Sequence, residues 1–249
     1  MNLLITGYKG FIGKNAVNHF SDHNLSFYEW GDPWPNLSGV DAVLHFGAIS
    51  STSEANVEKV FKQNYDFTAA LLEECHERFI KVQFSSSASL YGHGTNFSED
   101  APLDPKTPYA WSKYMTERLI KQRYTNVQVF RYFNVYGPHE EHKGNQASPF
   151  CQFERQARLN GKIKIFEGSE NFRRDFVHVD EVLRVQERLL HLERYDTWNI
   201  GTGKTLSFRE VAEQFNVPIE EIPMPDIYKN SYQKYTCADV SKLNKVLAL

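Results

Sequence analysis

The sequence predicts an α/β fold: a doubly wound parallel sheet with a smaller C-terminal lobe. Two observations predict it. Short apolar runs alternate with helical patterns through the first half, as in repeated strand–helix–strand units. A glycine-rich turn, Gly7 to Gly13, stands at the first strand–helix junction. The 249 residues suffice for one such domain with a proper core and a small second lobe.

The elements follow in order. Residues 3–6 read as a strand and 11–20 as a helix. Residues 25–30 and 42–45 read as the next two strands. Val57, Val60, Phe61, Asn64, Thr68, Leu71, Leu72 and Cys75 recur at spacings of three and four, which marks one long helix with a single buried stripe. Residues 82–85 form a strand, 108–123 a helix and 127–132 another strand. After Gly137-Pro138 the rhythm breaks. Helices are expected at 149–160, 207–215 and 238–247, and short strands at 162–166, 176–179 and 198–200.

Composition excludes several classes. The chain has 28 Lys and Arg against 31 Asp and Glu, a net charge of −3, which argues against a nucleic-acid binder that works by neutralising phosphates. No apolar run approaches the roughly 18 residues of a membrane span, and the apolar stretch at the N-terminus is too short for a signal peptide. Cys75, Cys151 and Cys237 are odd in number and far apart. They suggest neither a disulfide framework nor a zinc site, and free thiols in a reducing cytoplasm are expected. No metal site is expected, because His142 and His178 are not spaced as ligands.

Gly7-Tyr8-Lys9-Gly10-Phe11-Ile12-Gly13 follows the first strand and opens a helix. Glycine is needed where the chain turns sharply, where backbone approaches a pyrophosphate and where helix packs closely on strand. A helix N-terminus then offers N–H groups and partial positive charge to phosphates. The G-x-x-G-x-x-G spacing alone is weak, since tight turns use glycine for sterics, but its position favours a dinucleotide site. Glu29 and Asp32, after the second strand, are candidates to hold the adenine ribose hydroxyls. Residues 15–58 contain no Lys or Arg, so a 2′-phosphate finds few partners and NAD is favoured over NADP. Lys9 or Lys14, within the loop, would reverse that preference.

Tyr109 and Lys113 stand at i and i+4, one turn apart on one helix face. Ser85-Ser86-Ser87-Ala88 follows a strand whose end opens on the same cleft. A tyrosine with a pKa of ~10 must lose about three units, roughly 4 kcal/mol, to act as a base at neutral pH. A nearby ammonium and a positive nicotinamide ring are expected to supply that together. A serine hydroxyl can orient the reacting oxygen. Taken alone, the Tyr/Lys pair is common in surface helices. The pair gains meaning from the order in which loop, serine and pair occur along the chain.

These residues, with Ser85 to Gly92 and Arg131-Tyr132-Phe133-Asn134-Val135-Tyr136-Gly137-Pro138, resemble the extended short-chain dehydrogenases/reductases, in their nucleotide-sugar epimerase/dehydratase group. The resemblance implies a Rossmann-like domain, NAD or NADP as cofactor and a nucleotide-diphosphate sugar as substrate. It implies that Ser87, Tyr109 and Lys113 form the oxidising centre. It implies cofactor contacts from Gly7, Gly10, Phe11, Ile12, Gly13, Phe46, Gly47, Ala48 and Asn64 as well as Tyr109 and Lys113. Ser86-Ser87-Ala88 stands where family dehydratases carry Thr-Asp-Glu, which argues against a 4,6-dehydratase. In the second half, His142-Lys143-Gly144, residues 166–177 and Asn199-Ile200-Gly201-Thr202-Gly203 are similar to the heptose-epimerizing branch, as is Ser50-Ser51-Thr52. That similarity implies an ADP-heptose-like sugar and a second acid/base, Lys143, facing Tyr109 across the sugar carbon. It implies substrate contacts from Ser51, Ser87, Asn134, His142 and Arg174. Arginine offers a planar fork to phosphate oxygens, and the resemblance prefers Arg174 over Arg173 for the diphosphate.

The sequence departs from the family in two places. Only residues 31–41 bridge the second strand to Asp41-Ala42-Val43-Leu44, where the family has a helix, a strand and a loop. Part of the adenine pocket should therefore be missing, with Trp30 or Trp34 expected to cover the base. The chain also stops at Leu249, where the family continues into further helices, which implies a compact version. The expected division is a dinucleotide-binding domain of residues 1–138 and 175–202 and a substrate lobe of 139–174 and 203–249. Two other readings stay open: a reductase or epimerase-reductase that consumes NADPH on a keto-sugar, and a non-catalytic nucleotide-binding module. A homo-oligomer is left open, and neither nucleic acid nor membrane is expected as a partner.

Overall fold

Six parallel strands form the central sheet of the computed structural model, which describes residues 1–225 and 233–248. They are β1 (Asn2–Thr6), β2 (Asn24–Tyr28), β3 (Ala42–His45), β4 (Lys81–Ser87), β5 (Val127–Tyr132) and, late in the chain, Thr197–Ile200. The order across the sheet is Thr197–Ile200, β5, β4, β3, β1, β2. All the pairings are parallel. The alternating fold class is therefore observed. Chain order reverses between β1 and β3, which makes that junction the topological switch point where open α/β sheets bind ligands.

Successive side chains of a strand face opposite sides, and both sides here are covered. Leu3, Ile5, Ala42 and Leu44 pack against α1 (Phe11–His19) and the helix Val179–Leu190. Leu4, Val43, Val82, Phe84 and Val129 pack on the other face with Leu71 and Leu72 of α3 (Phe67–Glu77) and Ile120 of α4 (Pro108–Arg123). The long helix expected across 57–75 is instead divided. It comprises α2 (Val57–Phe61), a π-helical turn at Lys62–Asp66, and α3. The buried stripe survives the division from Val60 to Cys75, while Val57 is exposed.

Local signals account for the best-placed helices. Pro108 opens α4 with its fixed φ, and the Thr107 hydroxyl accepts from Ala110 N. The helix α5 (Pro149–Asn160) repeats the device with Pro149 and Ser148, and Gly161, left-handed at φ +62°, ends it. Between β5 and α5 lies β6 (Asn134–Tyr136), and beyond α5 lie β7 (Ile163–Phe166), β8 (Arg173–Arg174) and β9 (Phe176–His178), followed by α6, the helix Val179–Leu190. The strand Thr197–Ile200 is β10, and β11 (Leu206–Ser207), α7 (Phe208–Glu213), β12 (Ile219–Ile222) and β13 (Tyr235–Thr236) follow. Three small sheets pair β6 with β9, β7 with β12, and β8 with both β11 and β13.

Phe153, Ile163, Ile165, Phe176, Val211 and Ala212 form a second apolar cluster, apart from the faces of the large sheet. The final helix, Ser241–Leu247, does not join it. Leu243 and Leu247 pack with Phe130 and Trp198 of the large sheet. The expected lobe boundary therefore cuts through a segment whose last helix belongs with the sheet, and residues 226–232 and Leu249 of that segment lie outside the described residues.

The small sheets are tied to the large one through Asp175, which is fully buried. Its carboxylate accepts Thr202 N at 2.8 Å, Thr202 Oγ1 at 2.7 Å, Gly203 N at 2.9 Å and Ala238 N at 3.0 Å. Removing a buried acceptor leaves its donors unsatisfied, at roughly 1–3 kcal/mol each. Asp175→Ala should therefore lose about 3 kcal/mol or more of stability in a urea titration, and Asp175→Asn should lose less.

Candidate active site

The site opens at the switch point, where β1 and β3 end side by side. Gly7 follows β1 with φ +69°, and a Cβ there would lie 2.5 Å from the Cα of Gly47. A Cβ on Gly13 would lie 2.1 Å from the carbonyl oxygen of Gly7. Those two positions therefore require glycine, and the loop folds back on itself into a cradle. Gly10 is the N-cap of α1 and has no capping side chain, so the first N–H groups of the helix remain available to a ligand.

Thr6, Gly7, Tyr28, Glu29, Trp30, Gly47, Ala48, Gln63 and Phe67 line one small cleft beside this cradle. Glu29 stands just past β2, where its carboxylate accepts Lys9 N at 3.2 Å. Asp32 is turned elsewhere. It accepts Glu29 N at 2.8 Å and fixes the turn instead of lining the cleft. Strand β2 is the edge of the sheet, so the segment between β2 and β3 adds no outer strand. Trp30 lines the cleft and meets the Phe67 ring edge-on at 6.0 Å. Trp34 also touches Phe67, but its indole N–H donates to Glu74 at 2.6 Å.

Asn64 sits in the π-helical turn, a feature that often marks functional positions. Its amide accepts Ile49 N at 2.8 Å, donates to Ile49 O at 3.0 Å and donates to Ser112 Oγ at 3.1 Å. It thus ties the loop after β3 to α4. Phe46, Phe11 and Ile12 pack in the apolar cluster beneath the cradle.

Ser87 ends β4, where its hydroxyl accepts Ser89 N at 3.1 Å and stands close enough to Tyr109 of α4 to favour its ionised form. Lys113 lies one turn beyond Tyr109 on α4, 2% exposed, with Nζ 4.7 Å from the centre of the Phe84 ring. Burial pushes the Tyr109 pKa up, against a smaller lowering by Ser87. Burial also pushes Lys113 down to about 7, against the carboxylate of Glu117. Desolvation thus opposes the expected depression of the tyrosine, because it favours the neutral form of both groups.

A second lysine, Lys143, packs over Phe11 at the start of α1. Lys143 Nζ is 3.5 Å from the buried carboxylate of Glu140 and 5.1 Å from the centre of the Phe11 ring. Glu140 is itself fixed by Ser148 N at 2.8 Å, Ser148 Oγ at 2.7 Å and Gly137 N at 3.1 Å. His142 is exposed on the same segment, Glu141–Gln146. Gln146 donates to Ser51 Oγ at 2.6 Å and to Ser53 Oγ at 3.1 Å, so this segment and the loop after β3 meet.

Two expected substrate contacts are engaged in the fold. Asn134 donates to Asp175 O at 2.9 Å and to Thr236 Oγ1 at 3.4 Å. Arg174 is nearly buried. It donates to Arg173 O at 2.9 Å and to Gln233 O, and its guanidinium lies 5.6 Å from the centre of the Phe208 ring. Gln233 in turn donates to Gly92 O at 2.6 Å, just beyond the serine segment. Arg173 bonds to Thr205 and pairs with Glu210, consistent with a structural arginine.

Sequence reasoning did not single out Glu117, Glu140 or Tyr132. The Tyr132 hydroxyl lies 3.2 Å from Ser85 Oγ, and its charge would couple to Tyr109. Glu117 was within reach, because it extends the Tyr109, Lys113 spacing by another four residues. Among the described residues no group of three His, Cys, Asp or Glu is arranged to hold a metal ion, and no helix is long and apolar enough to cross a membrane.

The sequence profile of the NAD dependent epimerase/dehydratase family matches residues 35–201. The glycine cradle and β2 precede that match. ADP-L-glycero-D-manno-heptose-6-epimerase of Brachyspira hyodysenteriae is 36% identical, covering 97% of this chain and 90% of that protein. Its alignment runs over 286 positions, more than this chain has residues, so the relative carries insertions that this chain lacks. The crystal structure of the Helicobacter pylori enzyme of the same name superposes with a TM-score of 0.87 at 24% identity, covering 100% of this chain and 90% of that one. MoeE5 in complex with UDP-glucose and NAD superposes with a TM-score of 0.78 at 26% identity, covering 100% of this chain and 93% of that one. The chain belongs to the NAD-dependent epimerase/dehydratase family.

Proposed function

We propose that the chain is an NAD-dependent nucleotide-sugar epimerase whose substrate is an ADP-heptose-like sugar. The observation that carries the reading is the placement of Ser87 at the end of β4 beside the buried Tyr109 of α4, with Lys113 one turn on. The similarity to the Brachyspira epimerase supports the choice of sugar. In this reading residues 1–138 and 175–202 hold the cofactor, and 139–174 and 203–249, apart from the final helix on the sheet, receive the sugar. The unpaired thiols suit a reducing cytoplasm.

The residues present fit NAD. The cradle at Gly7 and Gly13 admits backbone-close pyrophosphate, since a Cβ at either position would collide. The uncapped start of α1 supplies N–H groups, and Glu29 offers a carboxylate to ribose hydroxyls. When bound, NAD would supply reversible hydride transfer at the sugar carbon and a positive ring that favours a tyrosinate nearby.

The protein's own part is proton handling. Ser87 orients the sugar hydroxyl, and Tyr109 takes its proton as the carbon becomes a ketone. Lys113 favours the tyrosinate when charged. The ketone then presents its other face, and Lys143, held by Glu140, handles the proton there. Ser51 and His142 lie on the two segments that Gln146 joins. Arg174 serves the diphosphate by exchanging its backbone carbonyl partners for phosphate oxygens, which guanidinium binds more strongly. Asn134 shapes the floor through Asp175 and Thr236.

Tyr109→Phe should lower turnover by about 10²–10⁴-fold while leaving NAD affinity near that of the parent. The checks are NMR of epimer interconversion and calorimetry with NAD. Near-normal turnover would overturn the assignment. Trp30→Ala should weaken NAD binding by about tenfold, the order of one aromatic contact, whereas Trp34→Ala should not. Equal effects in the two variants would remove Trp30 from the cofactor site.

A further inference from the structure

Glu117 follows Lys113 by four residues on α4, so the two side chains rise from the same helix face. Both are buried, at 9% and 2% exposure. The carboxylate of Glu117 is bound at both oxygens. Oε1 accepts Ser86 Oγ at 2.5 Å and Arg131 Nε at 3.1 Å, and Oε2 accepts Arg131 Nη2 at 2.6 Å. Arg131 is anchored further, donating to the Tyr91 hydroxyl at 2.9 Å and to Glu99 O at 3.0 Å. Tyr91 in turn donates to Asn199 at 2.7 Å. A chain of buried polar groups thus runs from β10 through β5 to the helix that carries Tyr109 and Lys113, and Ser86 joins it immediately before Ser87.

We propose that Glu117 is a positioning residue that keeps the buried Lys113 ammonium charged, with Ser86 and Arg131 fixing its carboxylate. The role of Lys113 rests on the epimerase reading, while its charge state does not. Lys113 is faced from β4 by the Phe84 ring, which carries no charge. From β3 it is faced by His45, which is held between Thr6 and Thr68 at 2.6 and 2.8 Å. Burial and Lys113 push the pKa of His45 down to about 3, so it stays neutral across the working range. Tyr109 shares its helix. On β5, burial holds the Tyr132 hydroxyl in its neutral form, and Arg131 is ion-paired with Glu117. Glu117 is the buried carboxylate one turn from Lys113 on the same helix face, and an opposite charge there favours the ammonium.

The test has two readouts. In protein labelled at lysine Cε and free of cofactor, the Lys113 resonance, identified by its loss in Lys113→Met, is titrated by NMR. Glu117→Gln should lower the Lys113 pKa by about one unit, since an ionic partner of this kind shifts a pKa by roughly one to three. The basic limb of kcat should move down in pH by the same amount, with KM for the sugar little changed. Breaking a buried pair leaves Arg131 unpartnered, so Glu117→Gln combined with Arg131→Met supplies a variant without an orphan charge. The double variant should shift Lys113 in the same direction. An unchanged Lys113 titration in the folded single or double variant would overturn the proposal whether or not the parent protein epimerises a sugar. Failure of the parent to epimerise would overturn the reading of function and leave the titration result standing.

Discussion

The close approach of two strand ends sets the site. β1 and β3 are hydrogen-bonded neighbours, and the chain leaves them in opposite directions. Gly7 and Gly47 then lie so near that no side chain fits at Gly7. A crevice opens above that contact, with the start of α1 on one side and the loop after β3 on the other. Every proposed cofactor contact depends on this geometry. Substituting either strand end with a bulkier residue would close the crevice before it altered any chemistry. The asymmetry of the sheet follows too, since β2 ends as an edge and leaves Trp30 to form a wall that a further strand would otherwise provide.

Proton handling depends on a second constraint, the burial of polar groups. Lys113, Glu117 and Arg131 all lie in the interior, where a charge is costly unless it is paired. The Glu117–Arg131 pair fixes α4 against β4 and β5, and through Ser86 it fixes the strand end that carries Ser87. Glu140, held by Ser148 and Gly137, stands beside Lys143 in a comparable way. Both proposed acid/base sides therefore rest on a buried carboxylate held by several donors. These carboxylates do not touch the reacting atoms in this account. They set where the cations stand.

The sequence revealed what local spacing encodes. Pro108 and Pro149, each preceded by a hydroxyl cap, gave helices whose ends agree with the structure, and the Tyr109–Lys113 pair was visible from its i, i+4 spacing alone. Features that depend on distant partners were not visible. The π-helical turn at Lys62–Asp66 leaves the apolar stripe intact, so periodicity did not report it. The two-residue strands β8, β11 and β13 are too short to show a pattern, and their partners lie far along the chain. Glu140 gains its role from Ser148 and Gly137, and Asp175 from Thr202, Gly203 and Ala238. Trp30 and Trp34 looked equivalent in sequence, and the structure separates them: Trp30 lines the cleft, while the Trp34 indole donates to Glu74.

The most direct measurement supplies the purified protein with one epimer of an ADP-heptose and a small amount of NAD, and follows the sugar protons by NMR while recording nicotinamide absorbance. The account predicts relaxation to one fixed isomer ratio from either starting epimer, with no steady change in absorbance. Stoichiometric consumption of the cofactor would contradict it in favour of a reductase. A sugar that stays unchanged while NAD is shown to bind would contradict it as well.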